Sequence, residues 1–159
     1  MITLVLGGAR SGKSDVAERL AGDGPATYVA TGTATDEAMA ARIAVHRERR
    51  PATWRTVEEG SAALSQVLID LDGTVLVDSL TTWVAAAPAF AVDTEALCTA
   101  LLKRNGDTIL VSDEVGLGVS PSTEAGNQFR DALGIVNQQV AAAADEVVLV
   151  VAGRTLRLT

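Results

Sequence analysis

Ile2-Thr3-Leu4-Val5-Leu6-Gly7-Gly8-Ala9-Arg10-Ser11-Gly12-Lys13-Ser14 decides the fold, because a strand, a loop and a helix start follow one another in it without a gap. Ile2 to Leu6 is a short, β-branched-rich apolar run that predicts a strand, and Gly7-Gly8 ends it. After Lys13, Val16, Ala17, Leu20 and Ala21 recur at helical spacing. Between the two stands the P-loop pattern of Gly, four residues and Gly-Lys-Ser. Gly7 and Gly12 let the backbone turn, so that the amides of Gly8, Ala9, Arg10 and Ser11 point at anionic oxygens. Lys13 is the catalytic cation that reaches the β- and γ-phosphates, and the Ser14 hydroxyl is a magnesium ligand. The helix start adds its positive dipole end. The chain is therefore expected to bind a nucleoside triphosphate with Mg2+.

Working outward, Ala26 to Ala30 predicts a second strand, and a helix is expected from about Asp36 to Arg50, which Pro51 ends. Residues 61–71 read as another helix. Thr74-Val75-Leu76-Val77-Asp78 and Thr108-Ile109-Leu110-Val111-Ser112-Asp113-Glu114 are continuous apolar runs finishing on acids, the form of strands buried on both faces. Helices are expected at about 93–103 and 123–144. Glu146 to Val151 reads as a strand, with Leu156 to Leu158 as a last edge strand after Gly153. Strands alternating with helices imply an α/β fold, a P-loop NTPase-type mainly parallel sheet with helices on both faces.

The 159 residues fit one domain, 1–159, and a hydrophobic content of 48% suffices for a sizeable core. A net charge of −7 argues against general nucleic-acid binding, which needs basic surface. No stretch approaches the roughly 20 apolar residues of a membrane span. The single cysteine, Cys98, makes no intrachain disulfide, and with no secretory signal pattern at Met1 to Leu6 a reducing cytoplasm is expected.

Asp78 ends an apolar strand, where a P-loop protein needs its second magnesium-binding acid; an Asp there can also cap the following segment. Asp113 and Glu114 end a strand too, and could orient a substrate hydroxyl or form a solvated turn before Gly116 and Gly118. Arg42, Arg47, Arg49, Arg50 and Arg55 crowd into an otherwise acidic chain around its one histidine, His46. On a helix Arg42, His46 and Arg49 or Arg50 share a face. Flanking arginines keep an imidazole neutral, leaving a nitrogen free to attack the α-phosphorus of a triphosphate. The same pattern also describes an ordinary solvated helix face.

The stretches Gly7 to Ser14, Tyr28-Val29-Ala30-Thr31, Met39 to His46, Arg50-Pro51-Ala52-Thr53-Trp54-Arg55-Thr56, Asp78-Ser79-Leu80-Thr81-Thr82, Glu114 to Gly118 and Phe129 to Val147 carry a resemblance. Across nearly its whole length the chain resembles the bifunctional adenosylcobinamide kinase / adenosylcobinamide-phosphate guanylyltransferase family of cobalamin biosynthesis. The resemblance implies two reactions: ATP or GTP phosphorylates adenosylcobinamide, then GTP guanylylates a histidine that passes GMP to adenosylcobinamide phosphate. It aligns the guanylylated histidine with His46. It aligns guanine-nucleotide contacts with Gly7 to Ser14, Thr31-Gly32-Thr33, Arg47-Glu48-Arg49-Arg50, Glu58 and Asp78, and implies a homo-oligomer, a trimer. Val45 stands where members often carry a second histidine. Residues 83–108 form a shorter segment than usual, with Ala85-Ala86-Ala87-Pro88-Ala89 in place of longer apolar side chains, a change that bears on the corrinoid-facing surface or subunit contacts. The alternative left open is a P-loop small-molecule kinase without guanylyl transfer. A guanine-nucleotide switch would carry Asn-Lys-x-Asp, and neither Lys13 nor Lys103 follows an asparagine.

Overall fold

The computed structural model describes residues 1–32, 51–58 and 64–158. The strands are β1 (Ile2–Gly7), β2 (Ala26–Ala30), β3 (Arg55–Glu58), β4 (Thr74–Asp78), β5 (Thr108–Asp113), β6 (Glu146–Val151) and β7 (Arg154–Arg157). The helices are α1 (Lys13–Ala21), α2 (Leu64–Ile69), α3 (Leu80–Ala86), α4 (Thr94–Lys103) and α5 (Glu124–Ala143), with a short 3-10 turn at Pro88–Phe90. Among the described residues no helix is long and apolar enough to cross a membrane.

The strands form one seven-stranded sheet in the order β3-β2-β4-β5-β1-β6-β7, parallel throughout except for the β6–β7 pair. Alternation along each strand divides the core. Leu4, Leu6, Val75, Val77, Leu110 and Val147 face one side and pack against α2, α3, α4 and α5. Val5, Leu76, Ile109, Val111 and Val148 face the other, against Val16 and Ala17 of α1. Each buried leucine contributes about 2 kcal/mol, and a slip of one residue would turn the whole set to the wrong face, so register is fixed. The expected α/β architecture, a mainly parallel sheet with helices on both faces, is the one observed.

Helix starts follow capping chemistry. Asp93 accepts the Ala96 N–H at 2.8 Å at the head of α4, and Thr123 accepts the Gly126 N–H at 3.1 Å at the head of α5. Asp145, which follows α5, ties the chain to β1: its Oδ2 accepts the Ile2 N–H at 2.6 Å and its N–H donates to the Ile2 carbonyl at 2.8 Å.

Two strands correct the sequence reading. The last edge strand runs from Arg154 to Arg157 rather than from Leu156 to Leu158, because Ala152 (φ 50) and Gly153 (φ 73) make a two-residue turn that pairs Val151 with Arg154. β3, four residues beside β2, is an additional strand. So is α3 an additional helix, following β4 directly. The helix expected over 61–71 is observed from Leu64 to Ile69, with 61–63 outside the described residues. The helix expected over 36–50 also lies outside them.

Candidate active site

The phosphate loop leaves β1 at Gly7, where β5 and β6 flank the strand. A Cβ on Gly7 would lie 2.8 Å from the Val150 carbonyl oxygen of β6, so only glycine fits there. Arg10 (φ 56) and Gly12 (φ 90) take left-handed backbone, and the Ser11 N–H donates to the Gly8 carbonyl at 3.2 Å. The β6–β7 turn braces the loop from outside, with the Gly153 N–H donating to the Ser11 carbonyl at 2.7 Å. Gly12 is the N-cap of α1 and offers no side chain, so no side chain caps the helix start where Lys13 and Ser14 begin. The Ser11 hydroxyl is buried with no protein partner.

Lys13 turns back over the loop. Its Nζ donates to the Gly8 carbonyl at 3.2 Å and meets Asp113 Oδ1 at 2.5 Å, with side-chain exposures of 12% and 24% for the pair. Asp113 is the last residue of β5 and lies in register with Gly7. Of the two readings left open for it, the solvated turn is set aside by this ion pair. The signal in the sequence was an acid ending an apolar strand, but nothing there said that β5 neighbours β1.

Asp78 ends β4, one strand further on, because β5 lies between β4 and β1. Its Oδ2 accepts the Tyr28 hydroxyl at 2.8 Å, a partner the sequence did not suggest. The capping duty considered for Asp78 belongs to Ser79 instead. The Ser79 hydroxyl accepts the Thr82 N–H at 3.3 Å, and Thr82 Oγ1 accepts the Ser79 N–H at 3.2 Å, a reciprocal box at the head of α3. The Asp78 carboxylate is thereby left to the edge of the sheet.

Thr31 locks this junction. Its Oγ1 accepts the Ser79 N–H at 2.9 Å and also bonds the Ser79 carbonyl at 2.5 Å, while its N–H donates to the Asp78 carbonyl at 3.3 Å. Its hydroxyl and N–H thus serve the protein itself. A Cβ on Gly32 would come within 3.2 Å of Thr82 Cγ2, so a larger residue there would have to push the Thr82 side chain aside. Glu58 ends β3 in register with Ala30, which is in turn level with Asp78. The parallel sheet therefore brings Gly7, Thr31, Glu58, Asp78 and Asp113 to one edge, where ligands of such sheets collect. Thr33, His46, Arg47, Glu48, Arg49 and Arg50 lie outside the described residues.

Residues 3–158 match the family model described as cobinamide kinase / cobinamide phosphate guanyltransferase. The chain belongs to this family. The bifunctional adenosylcobalamin biosynthesis protein CobU of Salmonella typhimurium is 42% identical, with 96% of this chain and 97% of that protein covered. Its namesake in Escherichia coli is 39% identical at the same coverage. CobP of Pseudomonas aeruginosa, likewise named a bifunctional adenosylcobalamin biosynthesis protein, is 40% identical over 99% of this chain and 97% of its own. Among solved structures, the P4 protein from bacteriophage phi6 in complex with ADP is similar with a TM-score of 0.49 and 17% identity, covering 97% of this chain and 52% of that one. As a cobinamide kinase / cobinamide phosphate guanyltransferase family member, the chain is an enzyme of the transferase class. The kinase half of that description needs a cation at a terminal phosphate and an acidic edge beside it, and Lys13, Asp78 and Asp113 are of those types.

Proposed function

We propose that this chain carries out both reactions named for its family. In the first, the terminal phosphate of ATP or GTP passes to the aminopropanol hydroxyl of adenosylcobinamide. In the second, GTP guanylylates His46, and the GMP group passes to adenosylcobinamide phosphate to give adenosyl-GDP-cobinamide. The observation that carries the reading is the family match over residues 3–158, which takes in the phosphate loop and His46 together.

In the first reaction the amides from Gly7 to Ser14 cradle the phosphates, and Lys13 neutralises charge that builds up as the γ-phosphoryl group leaves. The Ser14 hydroxyl and the Asp78 carboxylate would hold Mg2+, which would supply further charge neutralisation on the phosphates. Among the described residues no three or more His, Cys, Asp or Glu side chains stand close enough together to hold a metal ion by themselves. That fits an ion bound by one or two protein oxygens and the substrate itself, as Mg2+ commonly is. Tyr28 orients the Asp78 carboxylate through its 2.8 Å hydrogen bond.

In the second reaction a neutral nitrogen of His46 attacks the α-phosphorus, a P–N bond forms, and pyrophosphate leaves with the electrons of the broken P–O bond. An oxygen of the cobinamide phosphate then displaces the histidine. Arg47, Arg49 and Arg50 offset charge on the phosphates, and Glu48, Glu58 and the Thr31-Gly32-Thr33 segment complete the guanine-nucleotide contacts by family resemblance, with the Thr31 hydroxyl and N–H fixing the start of that segment to Asp78 and Ser79. On the same ground the chain forms a homotrimer, while its length supports a single domain and its one cysteine a reducing cytoplasm.

The test supplies adenosylcobinamide with ATP and GTP together, labelled either in the γ-phosphate of both or in the α-phosphate of GTP. The γ-label is expected in both cobinamide phosphate and the final product, and the α-label only in the final product. Incorporation of γ-label alone would leave a small-molecule kinase without the guanylyl step, and incorporation of neither would overturn the reading.

A further inference from the structure

Three carboxylates stand where β4 and β5 end beside the phosphate loop, and they have different partners. Asp78 accepts the Tyr28 hydroxyl, and Glu114 Oε1 accepts the Gly116 N–H at 3.0 Å. Asp113 faces Lys13. Its backbone is fixed at both ends: the N–H donates to Thr81 Oγ1 at 2.8 Å, and the carbonyl accepts from Asn137 Nδ2 at 3.0 Å. Asn137 is itself buried on α5, with its Oδ1 accepting the Ser112 hydroxyl at 2.6 Å. A buried polar network of this kind, set in a core of Leu and Val, rigidifies what it holds. What it holds is one carboxylate, in register with the first glycine of the loop.

The geometry points to Asp113 as the catalytic residue that accepts the proton of the acceptor hydroxyl in the kinase step. The inference rests on the kinase reading above. Lys13 reaches the β- and γ-phosphates in a loop of this pattern. A carboxylate one hydrogen bond from its ammonium is therefore about two from the γ-phosphate. Asp113 is the counter-ion of Lys13. When the triphosphate takes over Lys13, the carboxylate is left facing the space from which a hydroxyl approaches. The hydroxyl oxygen then bonds to the γ-phosphorus as the bond from that phosphorus to the β,γ-bridging oxygen breaks. That electron pair leaves with the nucleoside diphosphate, and the hydroxyl proton passes to Asp113 and on to water. Glu114, turned to its own loop, and Asp78, turned to Tyr28, are not placed for this.

Asp113→Asn keeps the shape and removes the base. Turnover of cobinamide phosphorylation is expected to fall about 100-fold or more, the usual worth of a positioned general base. Binding of a fluorescent ATP analogue is expected to hold or tighten, by up to about tenfold, since Lys13 no longer has a competing anion. Weaker nucleotide binding with turnover retained within about threefold would make Asp113 a structural partner only, and would overturn the inference. If Asp113→Asn does not fold, Asp113→Ala with added formate decides: turnover restored by formate supports the inference, and a folded variant indifferent to formate contradicts it. A wild-type enzyme that never phosphorylates cobinamide would instead remove the kinase reading itself, a result separable from either variant's.

Discussion

Replacing Lys13 with alanine should separate what the residue does for the fold from what it does for the reaction. At 2.5 Å the attraction between Lys13 and Asp113 is about 7 kcal/mol at an effective dielectric of about 20. Desolvation of two largely buried charges offsets most of that, leaving a net loss of about 1–2 kcal/mol for the folded enzyme. For a chain of this length that is a drop of about 3–6 °C in melting temperature. In the transition state the same ammonium faces the charge on the transferring phosphoryl group. Losing a positioned donor there costs about 3–4 kcal/mol, or 100- to 1,000-fold in turnover. Calorimetric melting and single-turnover phosphorylation of adenosylcobinamide on the same preparation measure both. Turnover within tenfold of wild type, with the small loss of stability, would show that Lys13 is not at the reacting phosphate and would refute the reasoning.

Gly7→Ala puts a methyl group against the Val150 carbonyl, 2.8 Å away, so β1 and β6 must separate at the base of the loop. A loss of about 1–3 kcal/mol by denaturant melting is expected, with nucleotide binding weakened as well. Arg104→Ala should be among the most damaging changes far from the site. Its guanidinium, whose pKa burial lowers, donates to the carbonyls of Leu71, Gly73 and Asp107 at 3.1, 2.7 and 3.0 Å and so ties the turn before β4 to the turn before β5. A loss of about 2–4 kcal/mol is expected in urea melts, and a loss under about 0.5 kcal/mol would contradict it. Burial pushes the Cys98 thiol above its ordinary pKa, so less thiolate is present at any pH below that value. Alkylation near pH 8 should therefore be slower for native protein than for protein in denaturant.

The phosphate loop and the strands from Thr74, Thr108 and Glu146 were legible because each is a run of apolar residues ended by glycine or an acid, a signal that needs no neighbour. β3 was not. Arg55 to Glu58 is short, polar and half exposed, and becomes a strand only because β2 offers it an edge. α3 was hidden because its start depends on the Ser79–Thr82 box, which follows the strand with no intervening loop. The start of β7 was read two residues late because Ala152 adopts a positive φ that alanine seldom takes, which tightens the turn at Gly153 to two residues. In the site, Lys13 and Asp78 could be named from local pattern. The pairing of Lys13 with Asp113 could not, because it depends on β5 lying between β1 and β4, and strand order is a property of the whole sheet. The role given to His46 came from family resemblance, since a histidine among arginines on a helix is more often an ordinary solvated face than a nucleophile.

One chain here joins a phosphate loop to a histidine proposed to carry GMP. Incubating the enzyme with Mg2+ and GTP labelled in the α-phosphate, then denaturing it, puts that pairing to the test. Protein-bound label that is acid-labile and alkali-stable is expected on the wild type, and none on His46→Ala. An unlabelled wild type, or a labelled His46→Ala, would contradict it.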